Sequence, residues 1–344
     1  MIPPRKALFI QLRRIGDILM CTPSIRAFKK HYPDCQLDFL TEYPDVLQGN
    51  PHIGSVIAVD QTYKFNFAYQ FGLIRKIHSQ RYDLIVDFLS SPRSAYYSFL
   101  SGAVTRLSYG IGHRRWAYNL IPQKSDEPVY SALDKLRLLE AIDIQHDGLK
   151  LEFYPSDKDR EVAAGLLKSV EGRPLITLSP VSRRAYRRWP LENYARLAEL
   201  IEIKLGAAVV IIVGPGESEA ANKVAELSKA KIEVRQIEKL GVLGALFERV
   251  SLHIGNDNGP KHVAVACGAP TISIYGPNSP VSWTYPEPSR HDFVCPAKLC
   301  DDCQQRKRRC APECIKSISV ESVWQKAAKM ASTLPSFGTL SRRS

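Results

Sequence analysis

The sequence predicts an α/β fold in two domains, on three observations. The chain has 344 residues, long enough for two hydrophobic cores. Short β-branched runs alternate with helical stretches along its length, the rhythm of βαβ units and parallel sheets. Residues 252–275 compress that rhythm into one stretch: an apolar run (252–254), a polar turn (255–259), a short helix (260–267) stopped by Gly268-Ala269-Pro270, and a β-branched strand (271–275).

In the first half, residues 7–12 read as a strand and Arg13-Arg14-Ile15-Gly16-Asp17 as a tight loop. Thr22-Pro23 then reads as cap and first turn of a helix ending near His31. This first βα turn has no Gly-x-Gly-x-x-Gly, which removes the main support for a dinucleotide-dependent dehydrogenase. It presents one carboxylate, Asp17, beside two arginines, at the strand edge where open α/β sheets bind ligands. Capping a helix, or pairing with Arg13 or Arg14, is the alternative role for Asp17. Strands follow at 36–40, 56–59, 84–88 and 104–107, with helices at 43–47, 71–79 and 94–100 between them. Residues 109–116 form a basic, Gly-containing loop whose Arg114 and Arg115 suit a phosphorylated acceptor, or simply a solvated loop. Residues 132–142 have helical periodicity.

In the second half, a helix at 157–170 leads to a strand at 174–178. The next loop carries Arg183, Arg184, Arg187 and Arg188. Guanidinium forks at a strand's carboxyl end suit phosphate. A helix at 191–204, a buried strand at 208–213, a Gly214-Pro215-Gly216-Glu217 turn and a helix at 218–230 continue the alternation. Glu217 suits ribose hydroxyls, or the positive end of the helix it precedes. A further short helix at 240–247 leads into the 252–275 unit. There Asp257 or Asn258 caps a helix start, Gly259 lets backbone approach a ligand, and His262 sits in the first turn, together an anion site.

A net charge of +12 calls for an acidic partner: phosphorylated substrates, an anionic membrane or nucleic acid. No zinc-finger, RRM or helix-turn-helix pattern is present, so nucleic acid is not expected. No apolar run reaches transmembrane length, and residues 1–6 lack a signal-peptide pattern, so a cytoplasmic protein is expected. Five of the eight cysteines, Cys295, Cys300, Cys303, Cys310 and Cys314, crowd together with metal-ligand spacing. A structural metal, a disulfide and reduced thiols all remain open readings of that cluster.

The run Asp257-Asn-Gly-Pro-Lys-His-Val-Ala-Val-Ala-Cys-Gly-Ala-Pro270 resembles the donor motif of the heptosyltransferase family, glycosyltransferase family 9: Asp-(Ser/Thr)-Gly-x-x-His-x-Ala-x-x-x-Gly-x-Pro. Arg14-Ile-Gly-Asp-Ile-Leu-x-x-Thr-Pro-Ser-Ile-Arg-Ala-Phe-Lys-Lys-x-Tyr-Pro33 resembles the family's start. Two departures stand out: Asn258 replaces Ser/Thr, and Arg187 takes the Lys place of the family's Lys-x-Trp-Pro. The resemblance implies a GT-B fold, two Rossmann-like domains facing a cleft. It assigns 1–168 to the acceptor, 169–319 (with the Cys-rich segment 295–314) to the donor, and 320–344 to a C-terminal helix and flexible tail. It implies an inverting transfer from ADP-heptose to a sugar hydroxyl of lipopolysaccharide core or a related glycan, with Asp17 as base. Arg187, Arg188, Glu217, Asp257, Asn258, Gly259 and His262 would hold the donor. Arg13, Arg14, Arg114 and Arg115 would meet the acceptor. That cationic set, and the lack of an Asp-x-Asp pair, imply catalysis with no metal and no cofactor. A monomer, peripheral on the inner membrane beside a lipid-linked acceptor, is the expected setting. A transferase using another nucleotide-sugar and a non-catalytic binding homologue are the alternatives, with a nucleic-acid-associated protein behind them.

Overall fold

The computed structural model describes residues 2–300 and 313–338. Contacts divide the chain into two units, Met1–Tyr154 and Pro155–Ser344.

The first unit runs β1 Lys6–Ile10, α1 Ile15–Leu19, α2 Thr22–His31, β2 Gln36–Thr41, β3 Ser55–Ala58, α3 Phe67–Ser79, β4 Leu84–Asp87, α4 Pro92–Leu100, β5 Thr105–Leu107 and α5 Ser131–Leu139. Its five strands are parallel, in the order β3-β2-β1-β4-β5. The chain steps outward from β1 to β3 and then returns to β1's other side, so the order reverses between β1 and β4. Apart from Lys6 at its start, β1 is apolar and buried, and so is β4 until Asp87, as strands covered on both faces must be. Helices start where side chains satisfy the free N–H groups. Asn66 accepts from Tyr69 N and starts α3 four residues earlier than the apolar pattern suggests, and a Ser91/Ser94 capping box does the same for α4.

The second unit runs α6 Asp157–Leu167, β6 Leu175–Ser179, α7 Leu191–Leu205, β7 Ala208–Val213, α8 Ser218–Leu227, β8 Ile232–Gln236, α9 Leu240–Phe247, β9 Leu252–Asn256, α10 Gly259–Ala266, β10 Thr271–Ile274, α11 Pro280–Trp283 and β11 His291–Val294. Short Glu313–Lys316 and longer Val320–Thr333 helices follow. The six-stranded parallel sheet has the order β11-β10-β9-β6-β7-β8, the dinucleotide-fold order with its reversal between β6 and β9.

Three expectations need correction. The boundary expected at residue 168 falls at Tyr154, because α6, started by a Ser156/Asp159 capping box, packs on α9 inside the second unit. The Val320–Thr333 helix is likewise no separate segment: it packs on α7, β10 and β11 through Val323, Ala327 and Ala331. Strands β8 and β11 were not anticipated. β8 is a half-exposed edge strand of mixed polarity, and β11 pairs only with β10, so neither carries the apolar run of a central strand. Among the described residues no helix is long and apolar enough to cross a membrane.

Candidate functional site

Each sheet places candidate residues at its reversal point. In the second unit, two glycines bring loops together there. A Cβ on Gly255 would lie 2.9 Å from Ser179 Cβ, and one on Gly276 would lie 2.5 Å from Tyr186 O. Only glycine lets the loop after β6 lie against the ends of β9 and β10. Asn256 then fastens that loop: its Oδ1 accepts Trp189 N at 3.1 Å and its Nδ2 donates to Pro180 O at 2.6 Å. Trp189 is buried, and its Nε1 donates to Ile318 O at 2.8 Å.

Asp257 sits on this frame, 5% exposed. Its Oδ1 accepts Lys261 Nζ at 2.9 Å, and its Oδ2 lies 3.1 Å from Arg187 and accepts from Asn278 Nδ2. Burial alone would raise this carboxyl. Lys261 and Arg187 outweigh it and hold the pKa at about 2. Lys261 is 2% exposed; burial pulls its pKa down, but Asp257 and the Tyr275 hydroxyl, 2.8 Å away, leave it raised overall. The triad Asp257, Lys261 and Arg187 therefore keeps one net positive charge. Among the described residues Arg187 Nε is buried with no hydrogen-bond partner.

The other expected donor residues divide. Asn258 caps α10 by accepting Lys261 N at 3.3 Å, while its Nδ2 donates to Ser179 Oγ at 2.8 Å and Val181 O at 2.9 Å. Its amide is thus committed to the protein. What this turn offers an anion is the helix start at Gly259, not the Asn258 side chain. His262 is buried 5.9 Å from the Trp283 ring, and burial, with Lys261 beside it, drives its pKa well below the ordinary value. It is a neutral imidazole, not a member of the cationic set. Arg188 is exposed and donates from Nε to Ser182 O at 2.6 Å. Glu217 accepts Gly214 N at 2.9 Å and so closes the turn after β7, with Gly216 at φ +77°. Lys261, missed as a functional residue, was signalled by its place four residues after Asp257.

In the first unit, the reversal between β1 and β4 opens into a pocket of about 170 Å³. Asp17 lines it with Ser90, Ser108, Lys124, Asp134 and Lys135. Asp17 lies in the first turn of α1, half-buried, rather than in the loop expected from sequence. Lys135 is almost fully buried. Its Nζ donates to Gln11 Oε1 at 3.0 Å and stands 5.3 Å over the Phe88 ring. Cys21, one turn beyond Asp17, bonds Asp17 O through its thiol, and burial pushes that thiol up to about 12 against the pull of Lys135. The pocket wall is set by Asp87: its Oδ1 accepts Leu89 N and Ser90 N, and its Oδ2 accepts the Tyr118 hydroxyl at 2.6 Å. Burial raises the Asp87 carboxyl even against these bonds.

None of the four expected acceptor arginines lines this pocket. Arg114 touches a lining residue, its Nε donating to Ser90 O at 2.6 Å. Arg13 is exposed, 3.5 Å from Glu42, and Arg14 and Arg115 are exposed. Lys135 and Lys124 were not anticipated: a lysine within a helical pattern, as Lys135 is, reads as a solvated face, and Lys124 lies in the segment before α5, outside any regular element. Of the cysteine cluster, Cys303 and Cys310 lie outside the described residues; Cys300 N donates to Cys314 Sγ at 3.0 Å, and Cys295 is exposed. Among the described residues no three ligands gather around a metal position.

Residues 70–314 match the family described as Glycosyltransferase family 9 (heptosyltransferase). The chain is 27% identical over 288 residues to lipopolysaccharide heptosyltransferase 3 of Escherichia coli, covering 79% of this chain and 84% of that one. Its fold is similar to that of a family 9 glycosyltransferase from Veillonella parvula, with a TM-score of 0.84 at 22% identity over 95% of this chain and 97% of the other. It is also similar to an E. coli heptosyltransferase solved with ADP-2-deoxy-2-fluoro heptose, with a TM-score of 0.72 at 16% identity, covering 94% and 99%. The two parallel sheets are those of the GT-B class expected from the sequence.

Proposed function

The chain belongs to glycosyltransferase family 9, and from that premise we propose that it transfers heptose from ADP-heptose to a sugar hydroxyl of a lipopolysaccharide core. The first unit receives the acceptor and the second holds the donor. The Asp17 carboxylate takes the proton from the attacking hydroxyl, whose oxygen forms the new bond to the anomeric carbon as the bond to the diphosphate breaks, with inversion. Negative charge grows on the departing ADP. Arg187, Arg188 and the helix start at Gly259 supply positive charge and donors fixed before the reaction begins. Neutral His262 belongs to the same turn and serves as a donor without charge. Glu217 accepts from the ribose, and Arg114 is the acceptor arginine best supported by its anchor on the pocket wall.

The observation that carries this reading is the orphaned Arg187 Nε within a cluster of net positive charge at the sheet reversal. These cations neutralise the leaving group, so we expect transfer to proceed without a divalent metal. The protein works as a monomer on the cytoplasmic side, at an anionic membrane that displays the lipid-linked acceptor.

Thermal unfolding with ADP, UDP, GDP and CDP, without metal, tests the donor: a selective rise in Tm with ADP is expected. Transfer from ADP-heptose in the presence of EDTA then tests the reaction. A rise with UDP or GDP alone would replace the donor, and activity that vanishes with EDTA and returns with a divalent metal would end the metal-free mechanism.

A further inference from the structure

Every exposed large aromatic among the described residues lies between Tyr63 and Trp116. The most open are Phe65 at 82%, Phe67 at 90% and Phe71 at 69%. Phe67 and Phe71 are one turn apart on α3, across the helix from Leu73 and Ile77, which enter the core. A second group stands on the neighbouring α4 and the turn Gly112–Ala117: the Trp116 ring lies 5.3 Å from Tyr96 and 5.2 Å from Phe99. The two helices share one side of the sheet. Leu73, Ile77 and Tyr97 join a single cluster with strand residues Leu8 and Ile85, and the Tyr97 hydroxyl donates to Gln70. An apolar surface of this kind on a soluble domain marks a partner.

Its charge identifies the partner. Residues 61–118 contain eight lysines and arginines and only two acids, Asp83 and Asp87, so they hold six of the net twelve positive charges. Neither acid is available: Asp83 accepts Arg5 N and Lys6 N, and Asp87 is buried. Asp60, at the border, is turned to Thr62. Two of the cations sit over the rings, Lys64 Nζ 4.7 Å over Phe65 and the Arg106 guanidinium 5.9 Å over Phe99, while Arg93 is paired with Glu42. Aromatic rings flanked by lysine and arginine suit the headgroup layer of an anionic bilayer.

We infer that the α3–α4 face docks this protein on an anionic phospholipid bilayer, its rings entering at headgroup depth and its cations meeting lipid phosphates. The inference rests on the membrane setting proposed above and names the surface responsible. It also accounts for Ile111, which lines the Asp17 pocket, is half-exposed, and adjoins the turn bearing Trp116. The pocket thereby opens beside the lipid.

Flotation with vesicles tests it. The full chain is expected to float with phosphatidylethanolamine–phosphatidylglycerol vesicles, less so in high salt, and not with phosphatidylcholine. Phe67→Ser with Phe71→Ser, and separately Arg75→Gln with Lys76→Gln, each lower the partition coefficient about tenfold. All four side chains are exposed, so the fold is undisturbed. Transfer to a delipidated acceptor stays at the wild-type level in both variants. Equal flotation of wild type and phenylalanine variant, or no flotation of the wild type, overturns the inference. So does a wild-type dimer that the phenylalanine changes dissolve, which would make the face a contact between copies. A wild type that floats but transfers nothing to the delipidated acceptor would defeat the proposed reaction and leave the docking surface standing.

Discussion

Asp257 in the second unit and Asp17 in the first are both carboxylates at the reversal point of a parallel sheet, yet their surroundings are opposites. Asp257 is sealed, paired with Lys261 and Arg187 and held at a pKa of about 2. Asp17 is half-buried in an open pocket of hydroxyls and lysines. A group that only orients cations for a developing charge gains from burial, because fixed partners lose nothing to reorganisation. A group that must accept a proton has to stay within reach of a substrate. Burial thus separates the two proposed roles, although both residues read alike in sequence, as an Asp in a Gly-containing turn after a strand.

The sharpest attack on this contrast is Asp17→Asn. It is expected to lower kcat about 10²–10⁴-fold, the range of a positioned general base, while the ADP-induced rise in Tm stays unchanged. A parallel loss of ADP binding would mean that Asp17 supports structure. Next is Lys261→Met, which strands Asp257 in the interior with Arg187 as its remaining cation. Removing one partner of a buried pair costs about 3–5 kcal/mol, read as an earlier urea transition of the second unit only. If both units shift together, the site is not an independent buried cluster.

Acid should also discriminate the units. Burial depresses His253 to about 3 and His291 to about 4, and both lie in the second unit. Protons then bind the unfolded chain first. Stability is unaffected above the unfolded pKa near 6.5 and falls as pH drops below it, by about 2 kcal/mol per histidine at pH 5. Asp257, also depressed, loses its contribution in the same direction, but only below about pH 4. Urea titrations across this range should move the second unit's midpoint, and His253→Gln should reduce that movement. The mildest test is Arg187→Lys, which keeps the charge and removes the fork. A Kd for ADP weakened about tenfold is expected, and an unchanged Kd would show that Nε donates nothing to the ligand.

The central strands and the reversal-point motifs were legible in the sequence because buried parallel strands are continuous apolar runs and turns are marked by Gly, Pro and Asn. The edge strands β8 and β11 were not, since Ile232–Gln236 is only half-buried and packs on one neighbour. The helix start at Asn258 followed from local chemistry, whereas the double commitment of the Asn258 amide depends on Ser179 and Val181, far away in sequence. Lys135 was hidden for the same reason: only the fold brings it to Asp17's pocket. The neutral state of His262 was not legible either, because it follows from desolvation in the folded chain.

The bond from Trp189 Nε1 to Ile318 O has a consequence for the order of events during synthesis. The first unit has all its strands once residue 107 has left the ribosome. In the second, β6 must wait for β9 to complete its pairing, and the loop bearing Arg187 stays unfastened until Asn256 and finally Ile318 emerge. A nascent chain stalled before that point would carry a finished first unit beside a second unit whose arginine loop has no anchor. The arginine loop of the second unit is therefore fully fastened only after Ile318 has been synthesised.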